Sequence, residues 1–166
     1  YLMQLVSAAF RDNIDDINKK AYKVVISGWR DDPRIPGDVP DILDEVELKT
    51  RDNDRGVWNL CFNYGGWTEM THMVKKIIDK KIESEQVHEG LLRKYMYHAE
   101  FGDLDILIRT GGEKRLSGFM PMQATYAELF FLDKYWPDFE EIDAERILAE
   151  FGNRERRLGG DSPEGK

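Results

Sequence analysis

The sequence predicts an α/β fold, with a mostly parallel central sheet covered by helices on both faces. Three observations predict it. Short apolar runs alternate along the chain with longer segments of helical period. The runs are apolar at successive positions, the pattern of strands buried on both faces. Three of them end in small or polar groups: Ser27-Gly28-Trp29-Arg30, Asn63-Tyr64-Gly65-Gly66 and Arg109-Thr110-Gly111-Gly112. Parallel sheets bind ligands beyond such carboxyl ends, and the three ends should share one rim.

Each element follows in order. Leu2, Leu5, Val6, Ala9, Phe10, Ile14 and Ile17 keep helical spacing, so residues 1 to about 20 form a helix. KVVIS (23–27) is a buried strand. Residues 30–40 hold three prolines and form a loop. Asp41 to about Lys49 is a helix with Ile42, Leu43 and Val46 on one face. VWNLCFN (57–63) is the second strand, and residues 67–81 are helical through Met70, Val74, Ile77 and Ile78. Ser84 caps a further helix containing Val87, Leu91, Leu92 and Tyr95. LDILIR (104–109) is the third strand, Ala127 to Leu132 the fourth, and Asp143 to Phe151 the last helix. Residues 1–160 are expected to belong to a single domain and 161–166 to a polar tail. The chain begins in amphipathic phase without Met, so the sheet is expected to be incomplete at its N-terminus.

Composition narrows the function. The 166 residues suffice for one packed core. A net charge of −8 disfavours a general nucleic-acid surface, so anion binding must be local, by a few placed cations. One cysteine, Cys61, excludes an internal disulfide, and no Cys/His cluster has zinc spacing. No signal peptide or membrane span is visible, so the expected compartment is reducing and cytoplasmic.

The loop after the third strand, RTGGEKRLSG (109–118), concentrates the chemistry. Arg109 abuts a strand. Arg115 and Ser117 are two apart, so an extended backbone would point both the same way. Gly111 and Gly112 can turn their N–H groups inward as an anion nest. Arginine grips phosphate oxygens bidentately and a hydroxyl adds a directed donor, a set suited to a diphosphate. The Walker A pattern is absent. A diphosphate site calls for Mg2+ with one or two carboxylates, and Glu113 and Glu128 are the candidates. The basic stretch at 153–160, NRERRLGG, suits a helix end and also a second cationic arm.

These segments resemble the cis-prenyltransferase family, typified by undecaprenyl diphosphate synthase. The resemblance rests on Asp105 to Phe119, Gln123 to Phe131, Trp136 to Phe139, Asn59-Leu60 with Asn63 to Gly66, and Asn153 to Gly160. The family's D-G-N-x-R-W-A segment has no counterpart here. Trp67 stands where an arginine is usual, and Pro121-Met122 where a leucine-tryptophan pair is usual.

The resemblance implies a transferase that condenses isopentenyl diphosphate with an allylic diphosphate such as farnesyl diphosphate, releasing pyrophosphate and creating a Z double bond. It places Asn63, Arg109 and Arg115 in the catalytic group. It assigns Arg109, Arg115, Ser117, Arg157 and Gly159 to isopentenyl diphosphate, Arg157 reaching across a dimer interface. It makes Glu128 the Mg2+ carboxylate. It implies a homodimer with peripheral membrane contact through its lipid product. The catalytic aspartate would come from a preceding segment of the same polypeptide or a separate chain. Two other readings fit the residues: a non-catalytic partner subunit of a heteromeric enzyme, and a phosphosugar- or nucleotide-binding module. Retention of Arg109, Arg115, Ser117 and Arg157 favours catalysis over the first. The second predicts binding of a sugar nucleotide and none of isopentenyl diphosphate.

Overall fold

The structure is a computed structural model that describes residues 2–154. Two compact units divide the chain, Tyr1–Ala99 and Glu100–Lys166.

The first unit holds α1 (Leu2–Lys19), β1 (Tyr22–Ser27), α2 (Val39–Thr50), β2 (Gly56–Cys61), α3 (Gly66–Asp79) and α4 (Glu89–Lys94). Strands β1 and β2 are parallel, in register from Tyr22↔Gly56 to Ser27↔Cys61. Ile14 and Ile17 from α1, Val24 and Ile26 from β1, and Val39, Ile42, Leu43 and Val46 from α2 close the core. Full burial of such a side chain stabilises by about 1.5–3 kcal/mol. On α1, Leu5 is exposed while Ile14 and Ile17 are buried. The other edge of β1 is closed by side chains. Val24 N donates to Thr50 Oγ1 at 3.0 Å and Ile26 N to Glu47 Oε1 at 2.7 Å. Strand N–H groups that lack a neighbouring strand are satisfied in this way by α2.

The second unit holds β3 (Ile106–Arg109), β4 (Glu128–Phe131) and α5 (Glu141–Asn153). Strands β3 and β4 are also parallel, from Ile106↔Glu128 to Arg109↔Phe131. Helix α5 starts with a capping box between Glu140 and Asp143. Asp143 also accepts from Lys134 Nζ at 2.6 Å, which holds its carboxyl below the usual range.

The α/β class and the parallel pairing hold, and several local expectations change. Helix α2 begins at Val39, with Pro40 in its first turn where the missing N–H costs nothing. Strand β2 stops at Cys61, because Asn63 turns to a left-handed φ of 47°. Ser84 does not cap a long helix. Ser84–Gln86 is a single 3-10 turn, boxed by Glu83 and Gln86, and α4 starts only at Glu89, after His88.

Candidate active site

In the first unit the ends of β1 and β2 are tied together. Gly28 takes a φ of 141°, and a Cβ there would lie 1.8 Å from the Phe62 carbonyl oxygen. Only glycine lets the two strand ends approach so closely. Asn63 then bridges back, its Nδ2 donating to Trp29 O at 3.0 Å and to Asp32 Oδ2 at 3.1 Å. Asp32 is buried and bound bidentately by Arg34, with contacts of 2.5–3.1 Å. The Arg34 hydrogen bonds hold the Asp32 carboxyl well below the usual carboxylate range. Asn63 thus clamps the loop after β1. Ser27, fully buried, donates to Asn59 Oδ1 at 2.8 Å, which fixes one more polar group of the same strand ends.

Beside them Glu69 of α3 is fully buried and accepts from Tyr64 Oη at 2.6 Å and from Tyr97 N at 2.8 Å. Burial first, and the Glu69 charge second, push the Cys61 thiol up to about 11. Trp29, Asp31, Trp67, Thr68, Thr71, His72, Lys75 and Tyr97 line an open groove of about 460 Å³. Trp67 is 79% exposed, so the indole lies on the surface of the first turn of α3.

In the second unit the loop after β3 brings three predicted residues together. Arg109 Nη1 donates to Ser117 Oγ at 2.9 Å and to the Arg115 carbonyl. Arg115 itself pairs with Glu113. Two expectations fail here. Gly111 and Gly112 take positive φ, yet their N–H groups do not form a nest. Gly111 N donates to Lys134 O at 2.9 Å and Gly112 N to Leu132 O at 2.8 Å. With Leu132 N on Arg109 O at 2.8 Å, the β3–β4 pairing runs on through the turn and uses those donors. Nor is 115–117 extended. Ser117 has a φ of 50°, and this turn swings its hydroxyl to Arg109.

Glu128 opens β4, with its N–H on Asp105 O at 2.9 Å. Its Oε2 accepts from Arg154 Nη1 at 2.6 Å. No group of three or more His, Cys, Asp or Glu that could hold a metal occurs among the described residues. One oriented carboxylate fits a cation shared with diphosphate oxygens, the usual way Mg2+ is bound, and not an all-protein metal cage. Arg157 and Gly159 lie outside the described residues. Sequence reasoning missed Asp32, Glu69 and Arg154 as organisers of these sites. Only Arg154 carried a signal, as part of NRERR.

A parallel α/β scaffold carrying an arginine- and serine-lined strand-end loop is the class these observations define. The prenyltransferase family model described as an undecaprenyl diphosphate synthase matches residues 1–159, and the chain belongs to that family. It is 41% identical over 162 residues to the tritrans,polycis-undecaprenyl-diphosphate synthase (geranylgeranyl-diphosphate specific) of Pyrococcus abyssi, covering 95% of this chain and 61% of that protein. It is 39% identical to the ditrans,polycis-undecaprenyl-diphosphate synthase ((2E,6E)-farnesyl-diphosphate specific) of Blochmanniella floridana, covering 95% and 64%. The crystal structure of a probable undecaprenyl diphosphate synthase from Campylobacter jejuni superposes with a TM-score of 0.83 at 30% identity, over 94% of this chain and 72% of that one. The chain thus spans less than two thirds of the length of these curated relatives.

Proposed function

We infer that this chain forms the larger part of a cis-prenyltransferase, both units belonging to one catalytic domain. The reaction is a condensation. The allylic C–O bond breaks and pyrophosphate leaves. The alkene of isopentenyl diphosphate bonds to the allylic carbon, and loss of a proton leaves a Z double bond. One observation carries the reading: within a single loop at the end of β3 the Arg109 guanidinium reaches the Ser117 hydroxyl and the Arg115 main chain. In this reading they grip the diphosphate of isopentenyl diphosphate. Arg109 exchanges Ser117 for phosphate oxygens, and Arg115 exchanges Glu113. Preorganised cations beside developing negative charge are the largest lever available for such chemistry.

Glu128 is the carboxylate that would hold Mg2+, which when bound neutralises diphosphate charge. Asn63 acts by holding Trp29 and Asp32. Arg157 and Gly159 supply the second arm, from the partner of a homodimer. Farnesyl and geranylgeranyl diphosphate are the two candidate allylic substrates, since relatives of similar identity are named for each. The test is direct. Full-length protein is incubated with Mg2+, labelled isopentenyl diphosphate and each allylic diphosphate, and product length is read by chromatography. Chain elongation is expected. Sugar-nucleotide binding without isopentenyl diphosphate binding would overturn the reading.

A further inference from the structure

Arg154 is unusually well fixed for a residue at a helix end. It terminates α5, with its N–H on Phe151 O at 3.1 Å. Its guanidinium lies 4.3 Å over the Phe130 ring. One arm of the fork reaches Glu128 Oε2 at 2.6 Å and the other pairs with Glu150. Glu128 and Phe130 are two apart on β4, so both face the same side of the strand. A cation stacked on one therefore reaches the other. Among the described residues Arg154 pairs with the Glu128 carboxylate, and it does so through Oε2.

We propose that Arg154 is the positioning residue of Glu128: it holds Oε2 and leaves Oε1 as the single oxygen offered to a divalent cation. The proposal rests on the reading of Glu128 as the metal carboxylate. Its consequence is selectivity. Mg2+ demands compact octahedral geometry and takes carboxylates one oxygen at a time, whereas Ca2+ accepts bidentate carboxylates readily. A Glu128 pinned by one oxygen disfavours Ca2+. The planar guanidinium fork is required because it spans Glu128 and Glu150 together, which a point-charge ammonium cannot do as well.

The experiment is a Mn2+ titration of the full-length protein with inorganic pyrophosphate bound, read by electron paramagnetic resonance and followed by competition with Ca2+. Arg154→Met is expected to weaken Mn2+ binding by about tenfold, the low end for loss of a ligand's orienting partner, and to shift the Ca2+/Mn2+ preference toward Ca2+. Arg154→Lys should recover part of the preference. Glu150→Gln, which loosens one arm and keeps the pair with Glu128, should give a smaller shift of the same sign, and it carries the test if Arg154→Met fails to fold. Glu128→Gln should abolish the tight Mn2+ site. A Ca2+/Mn2+ ratio unchanged in all three variants, with Mn2+ binding still dependent on Glu128, overturns the positioning role alone. Mn2+ binding indifferent to Glu128→Gln overturns both the positioning role and the metal reading beneath it.

Discussion

Gly28 and Phe62 approach so closely that the two strand ends admit no side chain between them: a Cβ on Gly28 would stand 1.8 Å from the Phe62 carbonyl oxygen. The φ of 141° adds backbone strain for any other residue. Gly28→Ala is therefore expected to destabilise the fold by about 3 kcal/mol or more. Urea denaturation checks it, and a loss below about 1 kcal/mol would mean the strand ends separate freely.

Asp32 should leave a signature in acid. A carboxyl depressed by its partners contributes stability that is present above the unfolded value and lost as pH falls toward the folded one. Arg34 and Asn63 depress Asp32 from its usual 3.8. Its contribution is therefore intact at neutral pH and declines below about pH 4. Urea midpoints of Asp32→Asn measured across the acid range should fall less steeply than those of the native protein. Parallel curves would remove Asp32 as a cause.

Arg115 is predicted to matter for turnover far more than for folding. Its side chain is largely exposed and pairs with Glu113 in the loop. Arg115→Ala should leave thermal unfolding nearly unchanged and lower kcat/KM for isopentenyl diphosphate by about 2–4 kcal/mol of transition-state stabilisation. Steady-state kinetics at fixed allylic substrate decide it, and an unaltered kcat/KM would take Arg115 out of the diphosphate clamp.

Cys61 is expected to be inert toward alkylation in the native state. With its thiol near 11, native labelling by iodoacetamide should rise roughly tenfold per pH unit between 7 and 9 without levelling off. A plateau near pH 8.5, the value of an ordinary thiol, would show that burial does not govern it. Unfolding in urea should make labelling fast.

The architecture was legible because its signal is local. Val24 to Ile26 and Ile106 to Ile108 are apolar without alternation, and their flanks carry turn residues. The loop chemistry was half legible. Arg109, Arg115 and Ser117 were visible as a set, but the pairing of Arg109 with Ser117 depends on a left-handed φ at a non-glycine residue. The fate of the Gly111 and Gly112 N–H groups depends on Leu132 and Lys134, some twenty residues away, and no local pattern encodes it. Asn63 stands out in the sequence through its motif. Its partner Asp32 was missed, since one of the three aspartates of a proline-containing loop reads as surface until burial is known.

The zipped ends of the loop after β3 also have a thermodynamic reading. Because Arg109, Gly111 and Gly112 are bonded to Leu132 and Lys134, little backbone freedom remains to be lost when an anion arrives. In the proposed reading, an anion bound there would replace the Ser117 hydroxyl on Arg109 and the Glu113 carboxylate on Arg115. Its affinity should accordingly track ionic strength more than temperature, with a small heat-capacity change.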